Sequence, residues 1–291
     1  MTLDQLRILT AIADQGSVLA AAKVLHRTQP TISVSMRKLE DELDLSLFDR
    51  SSYRALLTPQ GEQLCRHARE ILKQVEHFRA RAKYLASGYE PSISLAIEAG
   101  YPLPQILEVL RRSEKTYPET RLHLQIENIG GALDKLRQGE VDLAISPWLG
   151  DMPELESIPL TFTTLMTVAT PRFVRDHQIG DLDSLKRQVQ IVVRDSGDTG
   201  TVRSPGTLPG GRHWVVNDHY SKKELILAGM GWGKLQDYLM TDERATGKLV
   251  VLEVNGYPSH TVIEMRAVRR RDEPVGPVAD GLWLDLIKLR G

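Results

Sequence analysis

Hydrophobic positions in the first sixty residues fall into short helical periods separated by turn residues. Leu3, Leu6, Leu9 and Ala13 recur at helical spacing, with Thr2 placed to cap a helix over residues 3–14. Gly16 and Ser17 end it. Ser17 can cap the next segment, "VLAAAKVLH", whose alanines at 20, 21 and 22 let a neighbouring helix approach closely. Thr28 caps a third helix and Pro30 sits in its first turn, where a missing N–H is tolerated. In that third helix Ile32, Met36, Leu39 and Leu43 recur at steps of four, three and four, the stripe of an amphipathic helix. Its other face holds Pro30, Ser33, Val34 and Arg37, flanked by Thr31 and Lys38. An ordinary solvated face would carry mostly Glu and Lys. Helix, short turn, helix is the helix-turn-helix pattern, whose second helix enters the major groove of DNA. The alternative is an amphipathic helix with a merely solvated polar face. Beyond Leu43, "DLSLFDRSSYRALLT" predicts a two-stranded wing with Arg50 and Arg54 near its tip.

From Pro59 to about Gly88 the pattern changes to one long helix, capped by Thr58. Leu64, Ala68, Ile71, Val75, Phe78, Ala82 and Leu85 follow at steps of 4, 3, 4, 3, 4 and 3, flanked by charged residues from Arg66 to Lys83. That is a heptad seam, and it predicts a dimerisation helix. The alternative is a helix packed on its own domain. From Pro91 onward strand-like and helix-like segments alternate. "SISLAIEA", "RLHLQIEN" and "VDLAISP" are separated by the helical "LPQILEVLRRSEKTY" and "GALDKLRQG", which argues a parallel sheet with right-handed crossovers. A second set follows in "TLMTVAT", "QIVVRDS", "HWVVND", the helix "SKKELILAGM" and the strand "GKLVVLEV". "HTVIEMRAVRR" and "ADGLWLDLIKLR" give a last strand and helix. Two α/β halves predict two lobes with a ligand-sized cleft between them.

Composition changes this picture little. The chain has 291 residues, 41% hydrophobic and 26% charged, an ordinary globular mix with room for two or three domains. Its 37 basic and 38 acidic residues give a net charge of −1, so a nucleic-acid partner is neither demanded nor excluded. Residues 1–58 hold seven cations against seven acids, yet four of those acids lie in 40–44, away from the N-terminal turns that read a groove. A neutral head predicts modest non-specific affinity and reliance on dimer avidity. No apolar run reaches membrane-spanning length and "MTLDQLRILT" is not a signal peptide, so the expected setting is the cytoplasm, with no membrane partner. Cys65 is the single cysteine, expected as a small buried apolar group.

Catalytic patterns are missing. The eight histidines show no HExxH or CxxC company, and "SGDTG" and "LPGG" lack the context of a phosphate loop. "HYSKKEL" reads as a capped helix start. The expectation is no catalytic residue, no metal, no cofactor and no enzyme. An enzyme built on the two-lobed domain and a ligand-independent DNA-binding repressor are the rival classes.

The stretches "AAAKVLHRTQPTIS", "RKLEDEL", "LSLFDR", "LTPQGEQL", "LRQGEVDLAI" and "LAGMGWG" resemble the LysR-type transcriptional regulators over essentially the whole chain. The resemblance implies an α/β chain: an N-terminal winged helix-turn-helix at 1–58, a coiled-coil linker helix at 59–89, and an effector domain at 90–291. That domain would have the type 2 periplasmic-binding-protein fold, with lobe I at about 90–161 and 267–291 and lobe II at about 162–266. It implies a regulator of double-stranded operator DNA responsive to a small-molecule co-inducer, a homotetramer built as a pair of dimers, with RNA polymerase as a further partner. By position, Thr28, Gln29, Pro30, Thr31, Ser33, Val34, Arg37 and Lys38 would meet DNA, with Arg50 and Arg54 in the wing. Gln29 can pair with adenine edges, Arg37 or Lys38 with guanine or phosphate, and Thr31 or Val34 can touch a thymine methyl. Val34 stands where many relatives carry Arg. Asp44 stands where a helix-ending Gly is usual, so a differently shaped turn into the wing is expected. Effector residues would be Glu98, Ala99, Gly100 and Tyr101 after the first strand, with Asn128, Pro147, Trp148, Arg194, Ser196, Asp218 and Tyr220 at other strand ends. Glu98 replaces a usual Ser or Thr for anions. Trp232 is expected in the core.

Overall fold

The computed structural model describes residues 1–49, 56–148, 150, 152–197, 206–271 and 275–289. The wing tip, with Arg50 and Arg54, lies outside the described residues. Contacts divide the chain into two compact units, Met1–Lys83 and Tyr84–Gly291.

In the first unit, α1 (Leu3–Gln15), α2 (Val18–Val24) and α3 (Gln29–Leu43) pack on one another, followed by β1 (Phe48–Asp49), β2 (Leu56–Leu57) and the long α4 (Pro59–Ser87). Each N-terminus is set locally. Thr2 and Gln5 form a capping box, Ser17 accepts the Ala20 N–H, and Thr58 accepts the Gly61 N–H at 3.0 Å. Leu6, Leu9, Ile12, Ala21, Ile32 and Leu39 share one core with Leu47.

That core also takes in the start of α4. Cys65 and Ala68 are buried in it, and Leu64 and Leu72 pack against it. Gly61 explains how α4 comes so close, since a Cβ there would sit 2.1 Å from the Leu47 carbonyl oxygen. The expected dimer seam is therefore corrected at its beginning: Leu64 and Ala68 serve the head of their own chain. Ile71 and Phe78 are 41% and 74% exposed, and Ala82 is exposed. The Leu85 side chain lies outside the described residues.

The second unit opens with three parallel strands in the order β4–β3–β5: β3 (Ser92–Glu98), β4 (Arg121–Glu127) and β5 (Leu143–Pro147). Between them lie α5 (Leu107–Thr116) and α6 (Gly131–Arg137). β6 (Leu155–Ala169) then runs 15 residues, followed by α7 (Pro171–Asp176), α8 (Leu182–Arg187), β7 (Val189–Val193), β8 (Arg212–Val216) and α9 (His219–Leu227). The chain ends in β9 (Gly233–Gln236), α10 (Thr241–Ala245), β10 (Val250–Val251), β11 (His260–Arg270) and α11 (Pro277–Ile287).

β6 and β11 pair antiparallel from Leu155 opposite Arg270 to Met166 opposite His260, with a register shift at Met265/Arg266. One end of this ribbon joins β5, and the other joins β9 and β10. The two ends carry separate cores. Ile93, Leu95, Ile97 and Ile145 pack under Val278 and Trp283 of α11 at one, and Val168, Ile191, Ile226 and Leu235 pack together at the other. The pattern reading is corrected in one place. "GKLVVLEV" supplies only the two residues of β10, while the buried central strand is β9, "GKLQ", which the hydrophobic pattern did not mark.

Candidate nucleic-acid interface and ligand cavity

Helix α3 buries Ile32, Met36, Leu39 and Glu40 and turns the opposite face outward. Gln29, Pro30, Thr31, Arg37 and Lys38 are exposed, Ser33 is half-buried, and Val34 is 51% exposed. The Thr28 and Thr31 hydroxyls lie 2.7 Å apart at the first turn. Two features bear on the charge of this face. The Glu40 carboxylate is turned inward, accepting the Leu47 and Phe48 N–H groups at 2.8 and 3.3 Å, so it fixes the strand rather than facing DNA. Among the described residues, Arg37 and Lys38 have no ion pair, whereas Arg27 is held by Asp4 at 2.6 Å. Arg37 and Lys38 thus stand outward without an ion pair, while Asp41 and Glu42 are exposed farther along the helix, Glu42 paired with the Met1 ammonium.

The expectation of a differently shaped turn at Asp44 is overturned. Asp44 itself adopts the left-handed conformation, φ 52° and ψ 39°, with its N–H on the Glu40 carbonyl, as a terminating glycine would.

A cavity of about 310 Å³ lies over the β6–β11 ribbon, between the lobe of β3–β5 and the lobe of β7–β9. Glu98, Leu133, Asp134, Pro147 and Met152 wall one side, and Val193, Asp195, His219, Lys222, Lys234 and Gln236 the other. Thr163, Leu165, Ile263 and Met265 of the ribbon form its base. The Glu98 carboxylate accepts the Gly100 N–H at 2.7 Å and the Ile129 N–H at 3.3 Å. Burial outweighs those two bonds and pushes its pKa up to about 7. Across the cavity, burial and then the charge of Lys234 push the Lys222 ammonium down to about 7. Burial, reinforced by Lys222, takes His219 down to about 4. Lys234 donates to the Thr261 hydroxyl at 2.8 Å, lies 5.0 Å over the Tyr257 ring, and is lowered by burial.

Of the residues expected to line the cleft, Glu98 and Pro147 do so. Gly100 stands close by: a Cβ there would come within 2.3 Å of the Gln236 amide nitrogen. Asn128 and Ser196 meet beside the cavity, the Asn128 N–H donating to the Ser196 hydroxyl at 2.9 Å. The Asn128 side-chain amide also donates to the Asn217 carbonyl at 2.7 Å, and the Gly130 N–H to Asp195 at 3.0 Å. Others are elsewhere. Ala99 donates its N–H to the Glu127 carbonyl, continuing the strand. Tyr101 is buried in the core beneath β3, and Trp148 stacks with the Arg266 guanidinium at 5.1 Å. Asp218 caps α9, accepting the Ser221 N–H at 2.7 Å, while Arg194 is exposed and Tyr220 is 74% exposed. Trp232 is fully buried and donates to the Leu185 carbonyl at 3.2 Å.

Sequence reasoning missed Lys222, Lys234, Gln236, His219 and Asp195. The usable signal was Lys234, a cation between Gly233 and Leu235 just after the apolar "GMGW".

These features define a class: a helix-turn-helix head whose second helix turns Arg37 and Lys38 outward, and a two-lobed α/β domain enclosing a cavity. The head matches, over residues 3–62, the model described as bacterial regulatory helix-turn-helix protein, lysR family. Residues 86–287 match the LysR substrate binding domain. The chain belongs to the LysR family of transcriptional regulators, with a DNA-binding head and an effector-binding domain. Among its relatives, the HTH-type transcriptional activator AllS of Klebsiella pneumoniae is 31% identical, covering 85% of this chain and 93% of the relative. The probable HTH-type transcriptional regulator YhaJ of Escherichia coli (strain K12) is 29% identical, covering 94% and 91%. The full-length CbnR structure in complex with its target DNA has a similar fold, with a TM-score of 0.66 at 19% identity over 100% of both chains.

Proposed function

We propose that α3 reads operator DNA through Thr28, Gln29, Pro30, Thr31, Ser33, Val34, Arg37 and Lys38, with Arg50 and Arg54 adding backbone contacts from the wing. The cavity holds a small-molecule co-inducer and biases the assembly between two arrangements of its DNA heads. The division at 1–58, 59–89 and 90–291, the dimer through the open part of α4 and the tetramer belong to this reading. So do contact with RNA polymerase, a cytoplasmic setting and the lack of an enzymatic activity.

One observation supports it most. The core fixes α3 from beneath, while Ser33, Val34, Arg37 and Lys38 form an outward face of a hydroxyl, a methyl-bearing group and two cations. A groove offers partners for each of those groups.

The test compares operator and mismatched DNA at several salt concentrations. Arg37→Ala and Ser33→Ala are expected to flatten the preference, Arg37→Ala by about 1–3 kcal/mol if it pairs with a guanine. Arg54→Ala is expected to weaken both DNAs alike and reduce the salt slope by about 1. An unchanged specificity ratio in Arg37→Ala would refute the groove orientation.

A further inference from the structure

Lys222 is a buried charge that the reading so far does not use. It is 4% exposed, its stem packs so closely that a Cβ on Gly233 would meet its Cε at 3.1 Å, and it lines the cavity. Among the described residues its ammonium has neither a hydrogen-bond acceptor nor an ion pair; the neighbouring Lys223 is the one that pairs, with Glu243 and the Leu239 carbonyl. Buried ammonium groups are ordinarily paired, because burial without a partner disfavours the charge. Two further polar atoms at the same wall are buried without partners: Gln236 Oε1 and His219 Nδ1. The Gln236 amide lies 3.4 Å from His219 Nε2, and donating to it leaves the ring proton on Nδ1. The wall thus offers the Lys222 ammonium to an incoming acceptor, while His219 Nδ1 and Gln236 Oε1 are buried beside it without partners.

The opposite wall has the other sign. Glu98 and Asp134 face the cavity there, and the one guanidinium on that side, Arg137, is paired with Glu154 at 2.9 Å. On the wall of Lys222 itself, the Asp195 carboxylate is occupied by the Gly130 and Gly197 N–H groups. Leu133, Met152, Ile263 and Met265 make the remaining surface apolar. At about 310 Å³ the space is at the small end of ligand pockets, which run to about 1,000 Å³.

We propose that Lys222, with Lys234 beside it, is an anion subsite that takes the carboxylate of a small organic acid whose apolar body lies against Leu133, Met152, Ile263 and Met265. The inference rests on the reading of the cavity as the effector site and names the chemistry it selects. Binding is coupled to a proton. The free ammonium sits at about 7, lowered by burial and then by Lys234, and an added carboxylate holds it in the charged form. Complexation above neutral pH therefore takes up a proton at Lys222. Of the other groups facing the site, Lys234 is lowered by burial and His219 is down at about 4. Asp218 at the α9 start is lowered by its bonds to Ser221. Glu98, raised to about 7, acquires charge over the same pH range and weakens an anion further. Asp134, Asp195 and Arg137 complete the charged set.

The test is calorimetric titration of the full chain with hexanoate and with its neutral isostere hexanamide, in two buffers of different ionisation heat. Hexanoate is expected to bind at least about tenfold more tightly than hexanamide at pH 6.5. It should lose about tenfold or more in affinity by pH 8.5, with net proton uptake. Lys222→Met is expected to remove the advantage of hexanoate and leave hexanamide unchanged. Glu98→Gln is expected to retain proton uptake. Absence of hexanoate binding, equal affinity for acid and amide, or proton uptake that survives Lys222→Met and disappears in Glu98→Gln overturns the proposal. A bulky Leu133→Trp separates its failure from that of the effector reading. If acid and amide bind alike and Leu133→Trp blocks both, only the anion subsite falls. If Leu133→Trp affects neither, the cavity falls with it.

Discussion

Lys222 makes the ligand-free fold sensitive to pH in a defined window. Its folded pKa of about 7 lies below the ordinary lysine value of 10.5, so the unfolded chain binds more protons between those two values. Stability therefore rises with pH from 7 to 10.5, and the full cost of the buried charge is present below 7. Lys222→Met is expected to raise the melting temperature by a few degrees at pH 6.5, equivalent to about 1–4 kcal/mol. The advantage should shrink steadily toward pH 10.5, as melting curves across that range will check. A constant advantage at every pH would mean the gain is packing alone. This residue also shows where sequence reading stops. "HYSKKEL" announces a capped helix, and Asp218 does cap it. Which of its lysines is buried depends on β7 and β9 lying against one face, and neither neighbour is local in sequence. At Asp44 the sequence marked the position, because glycine is usual there, but not that Asp would take the same left-handed conformation. Asp44→Gly is expected to stabilise the head by roughly 0.5–1 kcal/mol in denaturant unfolding, with Glu40 still holding the strand.

Among the elements, α4 serves two masters along its length. Its first turns complete the head, and its exposed middle presents Ile71 and Phe78. A strict seam of alternating three and four steps was legible from the sequence, but it could not say which residues face the head. The close approach at Gly61 decides that, and it is a backbone-to-backbone contact with no hydrophobic signature. Two substitutions separate the roles. Gly61→Ala is expected to destabilise the head by about 1–3 kcal/mol, because the new methyl meets the Leu47 carbonyl rather than a flexible side chain. Ile71→Asp with Val75→Asp is expected to leave the head's melting largely intact while splitting the dimer. Light scattering beside circular dichroism reads both, and an unchanged oligomer would remove the middle of α4 from the interface.

At the scale of the effector domain, the two lobes are joined on one side by Asn128 and Gly130 reaching Ser196, Asn217 and Asp195. These polar bonds are short-range and exposed to competition from water, so each contributes about 0.5–1.5 kcal/mol. Asn128→Ala removes the one to Asn217 and is expected to shift the lobes toward a more open population. Small-angle scattering on the domain's parent chain should record a larger radius of gyration, and a ligand that bridges the lobes should reverse it. The two-lobed plan itself was legible, because strands and helices alternate twice. The joining residues were only partly so: Asn128 and Ser196 stand at strand ends, whereas Asp195 and Asn217 gained their role from the approach of the opposite lobe.

The return of β11 and α11 to the first lobe has a consequence for how the protein is made. Ile93, Leu95, Ile97 and Ile145 are covered by Met265, Val278 and Trp283, which are synthesised last. At about 5–20 residues per second, the ribosome needs roughly 7–28 seconds to go from Ile145 to Trp283, and the early strands wait that long with their apolar surface unsealed. The second lobe, by contrast, draws its Val168, Ile191, Ile226 and Leu235 core from one continuous stretch and can close while translation proceeds. The lobe begun first is thus the last to be sealed, and a chain stopped before the closing helix leaves that core open.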